Sequence, residues 1–214
     1  FALPRIFGQK TLDNNLQLGN LEINNFSNKF LDRPESVWSV LRSSMSKKIY
    51  YGTYGGILEY DGNEMKSISI EGEIEDEIVT SFTRTLVEDS EMNIYAAGRG
   101  FFGKILKNSY GDSEYSSLME KLPDSINPYN QVFWGGVNKE SEIYLYSREL
   151  IFRYNGDSFD KIWKLSDREE GIEGKGTIQT LIKVEDRIFV RVWGLGLYEL
   201  KNDLIVDVAP DVGL

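Results

Sequence analysis

Four side chains suited to holding a ligand recur at one position of a repeating pattern. Counting five residues on from Ile49, Ile94, Ile143 and Ile188 reaches Tyr54, Arg99, Arg148 and Trp193. Aromatic rings stack on flat faces such as a sugar ring or a nucleobase. A guanidinium offers a planar fork of donors that matches a carboxylate at two points. A second set, Trp38, Arg84 and Trp134, stands ahead of the first three isoleucines. For any single residue a plainer account is available: tryptophan fills space in a core, and arginine neutralises a surplus of carboxylates. Recurrence at equivalent positions is what sets these residues apart.

Other chemistries are closed off by composition. The chain has no cysteine, which removes disulfides, thiolate catalysis and cysteine-bound metal. It also has no histidine, which removes Ser-His-Asp and Cys-His arrangements, most zinc sites and the commonest general base. Lysine plus arginine number 24 against 34 acids, a net charge of −10, so a non-specific polyanion binder is excluded and no nucleic-acid partner is expected. Five acids crowd into Glu71, Glu73, Glu75, Asp76 and Glu77. Calcium takes such oxygen ligands, but the run lacks the Asp-x-Asp-x-Asp-Gly order of a dedicated loop and is expected to be a solvated connection. No metal or other cofactor is expected. Acids do not recur at the aromatic and arginine positions, so no catalytic residue is assigned and the chain is expected not to be an enzyme.

The elements that must position these side chains follow from the repeat itself. The apolar-aromatic pairs Ile49-Tyr50, Ile94-Tyr95, Ile143-Tyr144 and Ile188-Phe189 lie 45, 49 and 45 residues apart. The first and third copies agree best, with Tyr60-Asp61-Gly62-Asn63 lying over Tyr154-Asn155-Gly156-Asp157. Asp-Gly or Asn-Gly between apolar runs signals a tight hairpin whose turn needs positive φ. The first copy divides into strands at 37–44, 48–53, 56–61 and 65–70, with no long 3.6-residue apolar period anywhere. Four short strands at this period predict an all-β fold, a β-propeller with four blades; a stack of hairpins or a β-sandwich is the alternative. In a propeller, the loop between strands two and three and the entry to strand one share a face near the central channel, which would bring all seven residues to one rim.

The blades are expected at about 36–72, 78–120, 129–166 and 176–208, with residues 209–214 opening a connector to a further blade. Residues 1–35 would be a closing strand or the remnant of a preceding blade. Propellers of the usual kind have more blades, and an open arc exposes sheet faces and edges. The four blades are therefore expected to be part of a larger ring, either in a longer polypeptide or through self-association, for instance as a homodimer. No apolar run is long enough to span a bilayer, and the first residues lack the pattern of a signal peptide. A mature exported chain and a cytosolic one both fit that composition.

Two segments, RTLVEDSEMNIYAAGRGFF and IYYGTYGGILEYDG, resemble the two-component regulator propeller repeat. Glu88-Asp89 matches the acidic pair of that repeat in blade two alone. Gly52-Thr53 and Gly55-Gly56 match its glycine hairpin in blade one; blade four keeps Gly194-Leu195-Gly196, and blade three has Arg148-Glu149-Leu150 instead. The resemblance implies a periplasmic or extracellular sensor region of a bacterial signalling protein, with membrane helix and output domain elsewhere. It also implies a small-molecule ligand, often carbohydrate-derived, and the arginines suit an anionic one. A propeller scaffold for protein partners is the alternative, and a polysaccharide-degrading propeller enzyme a further one.

Overall fold

The computed structural model describes residues 36–70, 73–74, 77–78, 82–127, 131–167 and 176–208. The expectations for residues 1–35 and 209–214 lie outside them. The chain divides into two units, Phe1–Pro34 and Glu35–Leu214, and the blades belong to the second.

Four antiparallel four-stranded sheets are arranged as a β-propeller. Blade one holds β1 (Val37–Arg42), β2 (Ile49–Thr53), β3 (Gly56–Tyr60) and β4 (Met65–Ile68). The two-residue strands β5 (Glu73–Ile74) and β6 (Glu77–Ile78) then pair with each other, so the acidic run expected as a plain loop contains a small ladder. Blade two holds β7 (Thr83–Glu88), β8 (Ile94–Gly98), β9 (Phe102–Lys107) and β10 (Ser113–Ser117). Blade three holds β11 (Gly135–Lys139), β12 (Glu142–Tyr146), β13 (Leu150–Tyr154) and β14 (Phe159–Lys164); blade four holds β15 (Thr177–Val184), β16 (Arg187–Trp193), β17 (Gly196–Lys201) and β18 (Leu204–Asp207).

The repeated isoleucine-aromatic pair explains how the sheets stack. Successive residues of a strand point to opposite faces. Ile94, Ile143 and Ile188 therefore pack back on the preceding blade, while Tyr50, Tyr95 and Tyr144 pack forward on the following one. The core is accordingly three sandwiches. Tyr50, Ile57 and Ile68 meet Leu86, Ile94 and Ala96; Val87, Tyr95 and Phe102 meet Ile143, Leu145 and Phe152; Tyr144, Ile151 and Trp163 meet Ile178, Val190 and Tyr198. Each fully buried side chain of this size contributes roughly 1.5–3 kcal/mol. The first strands β1, β7, β11 and β15 neighbour one another in series, and among the described residues β15 makes no comparable contact with β1.

The turns follow the sequence. Asp61 Oδ1 accepts from the amides of Asn63 and Glu64 at 2.9 and 2.8 Å, and Asn155 Oδ1 does the same for Asp157 and Ser158 at 3.0 Å. Gly62 and Gly156 take φ of 102° and 98°, the left-handed region such turns require. Residues 108–112 form a tight turn, because Asn108 Oδ1 accepts from the amides of Tyr110 and Asp112 at 3.0 Å and brings β10 in at Ser113. Glu88 and Asp89 also have visible roles. Glu88 takes the Ser44 amide of blade one at 3.0 and 2.9 Å, and buried Asp89 closes its own turn by accepting from the amides of Glu91 and Asn93.

Candidate functional site

A shared backbone irregularity aims the strand-one side chains. In three blades the pairing of strands one and two slips by one residue at the same point, between Val37 and Ser39, Thr83 and Thr85, and Ile178 and Thr180. Such a bulge turns the extra residue out of the ladder and redirects its side chain. The bulged residues are Trp38, Arg84 and Gln179. In blade three the corresponding residue is Trp134, just ahead of β11, whose amide donates to Tyr146 O at 2.9 Å.

Three of these four are residues predicted from sequence; Gln179 is the one missed. It stands nine residues before Ile188, as Trp134 stands nine before Ile143, and that spacing was the signal. Amide side chains carry no aromatic or charge mark, so residue type alone passes over it.

The arginine of this set is enclosed by rings. The Arg84 guanidinium carbon lies 4.0 Å from the Trp38 ring centroid, 4.1 Å from Phe82 and 4.5 Å from Trp134. Phe82, also missed by sequence, ties the group together: its ring is 4.8 Å from Trp38 and 5.3 Å, edge-on, from Tyr54. Gly98 makes room for that segment, since a Cβ there would lie 2.0 Å from Phe82 O. Arg148 extends the chain of contacts, 5.2 Å from the Trp134 ring. Five of the seven predicted residues, Trp38, Tyr54, Arg84, Trp134 and Arg148, thus form one connected group.

Trp193 joins through a cleft. A cavity of about 540 Å³ lies between blades three and four, walled by Trp134, Arg148, Arg191 and Trp193 with Gln179 and Thr180. Tyr146 closes its floor, donating its hydroxyl to Gln179 O at 2.6 Å. A neighbouring hollow of about 330 Å³ shares Trp134 and Arg148 and adds Gln131, Ser147 and Glu149. Arg99 stands apart. Its backbone bridges to Val132, and among the described residues it makes no ring contact or ion pair with the other six.

The charge pattern of the cleft is unusual for an acidic chain. Among the described residues no Asp or Glu lines the larger cavity. Among the described residues none pairs with Arg84, Arg148 or Arg191, whereas Arg153 is held by Asp160 and Glu142, and Arg187 by Glu199. The Arg84 Nε is buried with no hydrogen-bond partner among the described residues. Burial pushes the pKa of this guanidinium down from its usual value, with Tyr146 opposing the shift. Bare cations beside exposed rings form a surface on which an anion with an apolar face can bind.

No family profile matches this sequence, and neither does any curated protein. Solved structures do match in fold. The extracellular domain assigned to a one-component system of B. thetaiotaomicron, BT4673, is 18% identical with a TM-score of 0.54; the match covers 80% of this chain and 21% of that one. The extracellular domain assigned to the hybrid two-component system BT3049 of the same bacterium is 13% identical at a TM-score of 0.50, over 86% of this chain and 25% of that one. Streptogramin B lyase is 11% identical at 0.55, over 78% of this chain and 52% of its own. The chain spans a quarter or less of the two extracellular domains and about half of the lyase. At these identities the similarity is one of fold, shared by signalling domains and an enzyme alike.

Proposed function

We propose that this chain is the ligand-sensing section of an extracytoplasmic bacterial signalling propeller, and that it binds an anionic, carbohydrate-derived small molecule in the cleft between blades three and four. The observation that carries this reading is a cleft holding Arg148 and Arg191 between Trp134 and Trp193, with no carboxylate among the described residues of its walls, in a chain of net charge −10. Rings stack on the face of a sugar, and the guanidinium forks take a carboxylate or a similar oxyanion. The similarity to extracellular domains of signalling systems supports a periplasmic or extracellular location.

Streptogramin B lyase shares the fold, so an enzyme is the second reading. Against it stands the composition of the larger cavity, whose described residues offer no acid-base pair.

Titration calorimetry with uronate-bearing and neutral oligosaccharides tests the proposal. Saturable binding of the uronate-bearing members alone is expected. Trp193→Ala and Arg148→Ala should each weaken it about tenfold, equivalent to about 1.4 kcal/mol, with the melting temperature unchanged. Parallel loss of melting temperature and binding would make both residues structural. Product formation from a polysaccharide, followed by mass spectrometry, would favour the enzyme instead.

A further inference from the structure

One ring of the cleft is shared by two cations. Trp134 walls the cavity between blades three and four, and its centroid lies 4.5 Å from the guanidinium carbon of Arg84 and 5.2 Å from that of Arg148. The two charges are therefore no further apart than those distances laid end to end. They come from different blades, Arg84 from the bulge in β7 and Arg148 from the loop between β12 and β13. The backbone at Arg148 is tied down, because its carbonyl accepts the Ile178 amide of blade four at 2.8 Å.

Like charges this close repel, and a guanidinium does not shed its proton to relieve the repulsion. Rings attract each cation, but tryptophan and phenylalanine offer no acceptor to the in-plane N–H donors of the fork. The Arg84 Nε is buried and unbonded for that reason. Among the described residues neither arginine is paired with an acid, even though Glu149 lines the hollow beside Arg148 and the chain carries 34 acids in all. Two forks thus stand on one ring with their donors unused.

We infer that the ligand carries two anionic groups, one taken by Arg148 in the cleft and the other by Arg84, with Trp134 as the spacer that sets the distance between them. This assignment rests on the cleft being the ligand site, and adds what the ligand must carry. The class it selects is a short sugar chain with acid groups on two of its units. A ligand with a single acid satisfies one fork and leaves the other charge uncompensated. The second acid meets a cation already held in place by Trp38, Phe82 and Trp134, so little ordering is needed to receive it.

Titration calorimetry with galacturonic acid and its di- and trisaccharide separates the two seats. The chain should bind the di- or trisaccharide at least about tenfold more tightly than the monosaccharide, because the second ion contact is made within one molecule. Arg84→Met and Arg148→Ala should each bring the affinities of monosaccharide and oligosaccharide together. A second measurement needs no variant: esterifying all but one carboxyl of the oligosaccharide should reduce its binding to that of the monosaccharide. Longer acids that gain nothing over the monosaccharide would overturn the inference, as would an Arg84→Met chain that keeps their full advantage. In either case the cleft still takes an anion, and the proposed function stands. No binding of any uronate would remove both.

Discussion

Two clusters of charge in this propeller are built on opposite terms. Between blades one and two, the buried carboxylate of Glu59 receives Lys48 Nζ at 2.5 Å, Lys107 Nζ at 3.4 Å and the Ser113 hydroxyl. Burial opposes its ionisation, but hydrogen bonds from Lys48, Ser113 and Tyr50 outweigh that, and its pKa is pulled down to about 2. At the rim, half-buried Arg84 meets rings and, among the described residues, no acid. A buried charge with every partner supplied belongs to the structure; a buried charge left without a counter-ion is poised for one that arrives from outside.

The largest effect should come from removing the paired acid. Glu59→Ala leaves Lys48 and Lys107 facing a space without a carboxylate, and breaking a buried pair on one side costs about 3–5 kcal/mol. Urea unfolding should show that loss in the midpoint. A loss no larger than that of an exposed pair would mean that water already reaches the cluster.

Acid should undo the same cluster reversibly. The folded pKa near 2 lies below the ordinary glutamate value of 4.5, so the stabilisation is fully present above pH 4.5 and disappears as pH falls through 2. A shift of this size corresponds to on the order of 3 kcal/mol. Other carboxylates titrate in that window, so the quantity to follow is the difference between the native chain and Glu59→Gln. That difference should shrink steadily from pH 4.5 to 2. A constant difference would show that the carboxylate charge is not what holds the blades.

The sequence makes one of these clusters more legible than the other, and the reason is geometric. The fold is visible because a single repeated pair, isoleucine then aromatic, serves two interfaces at once through strand alternation. Trp38, Arg84 and Trp134 are visible because they are conspicuous residue types at one step of that repeat. Gln179 and Phe82 complete the group by position alone, and only the bulge and the ring distances reveal them. Arg99 shares the spacing of Arg148 and Trp193, yet the bridge to Val132 carries its backbone elsewhere. Nothing local in the sequence marks Glu59, because Lys107 and Ser113 come from the next blade, 48 and 54 residues away.

An intermediate effect, in binding and not in stability, is expected at the rim. Arg84→Met keeps the length of the side chain among Trp38, Phe82 and Trp134 while removing the charge. The lost cation–π contacts are each worth about 0.5–2 kcal/mol, and the desolvation of an unpaired charge is lost with them, so the net change in stability should be under about 1 kcal/mol. Affinity for an anionic oligosaccharide should fall about tenfold. Were Arg84→Met to destabilise as much as Glu59→Ala, the rim and the inter-blade cluster would be the same kind of device.

The smallest effect separates the two variables that this comparison joins, burial and pairing. Arg187 is paired but exposed: its guanidinium forks onto Glu199 at 2.8 and 2.6 Å and lies 4.6 Å from the Phe189 ring. The partner carboxylate raises the pKa of Arg187, but the group stands in solvent, where ion pairs are screened and contribute little. Arg187→Ala should shift the melting temperature by less than about 2 °C, and raising the salt concentration should make the two proteins indistinguishable. If Arg187→Ala instead matched Glu59→Ala, pairing alone would decide stability, and the lack of an acid beside Arg84 would lose its meaning as a sign of binding.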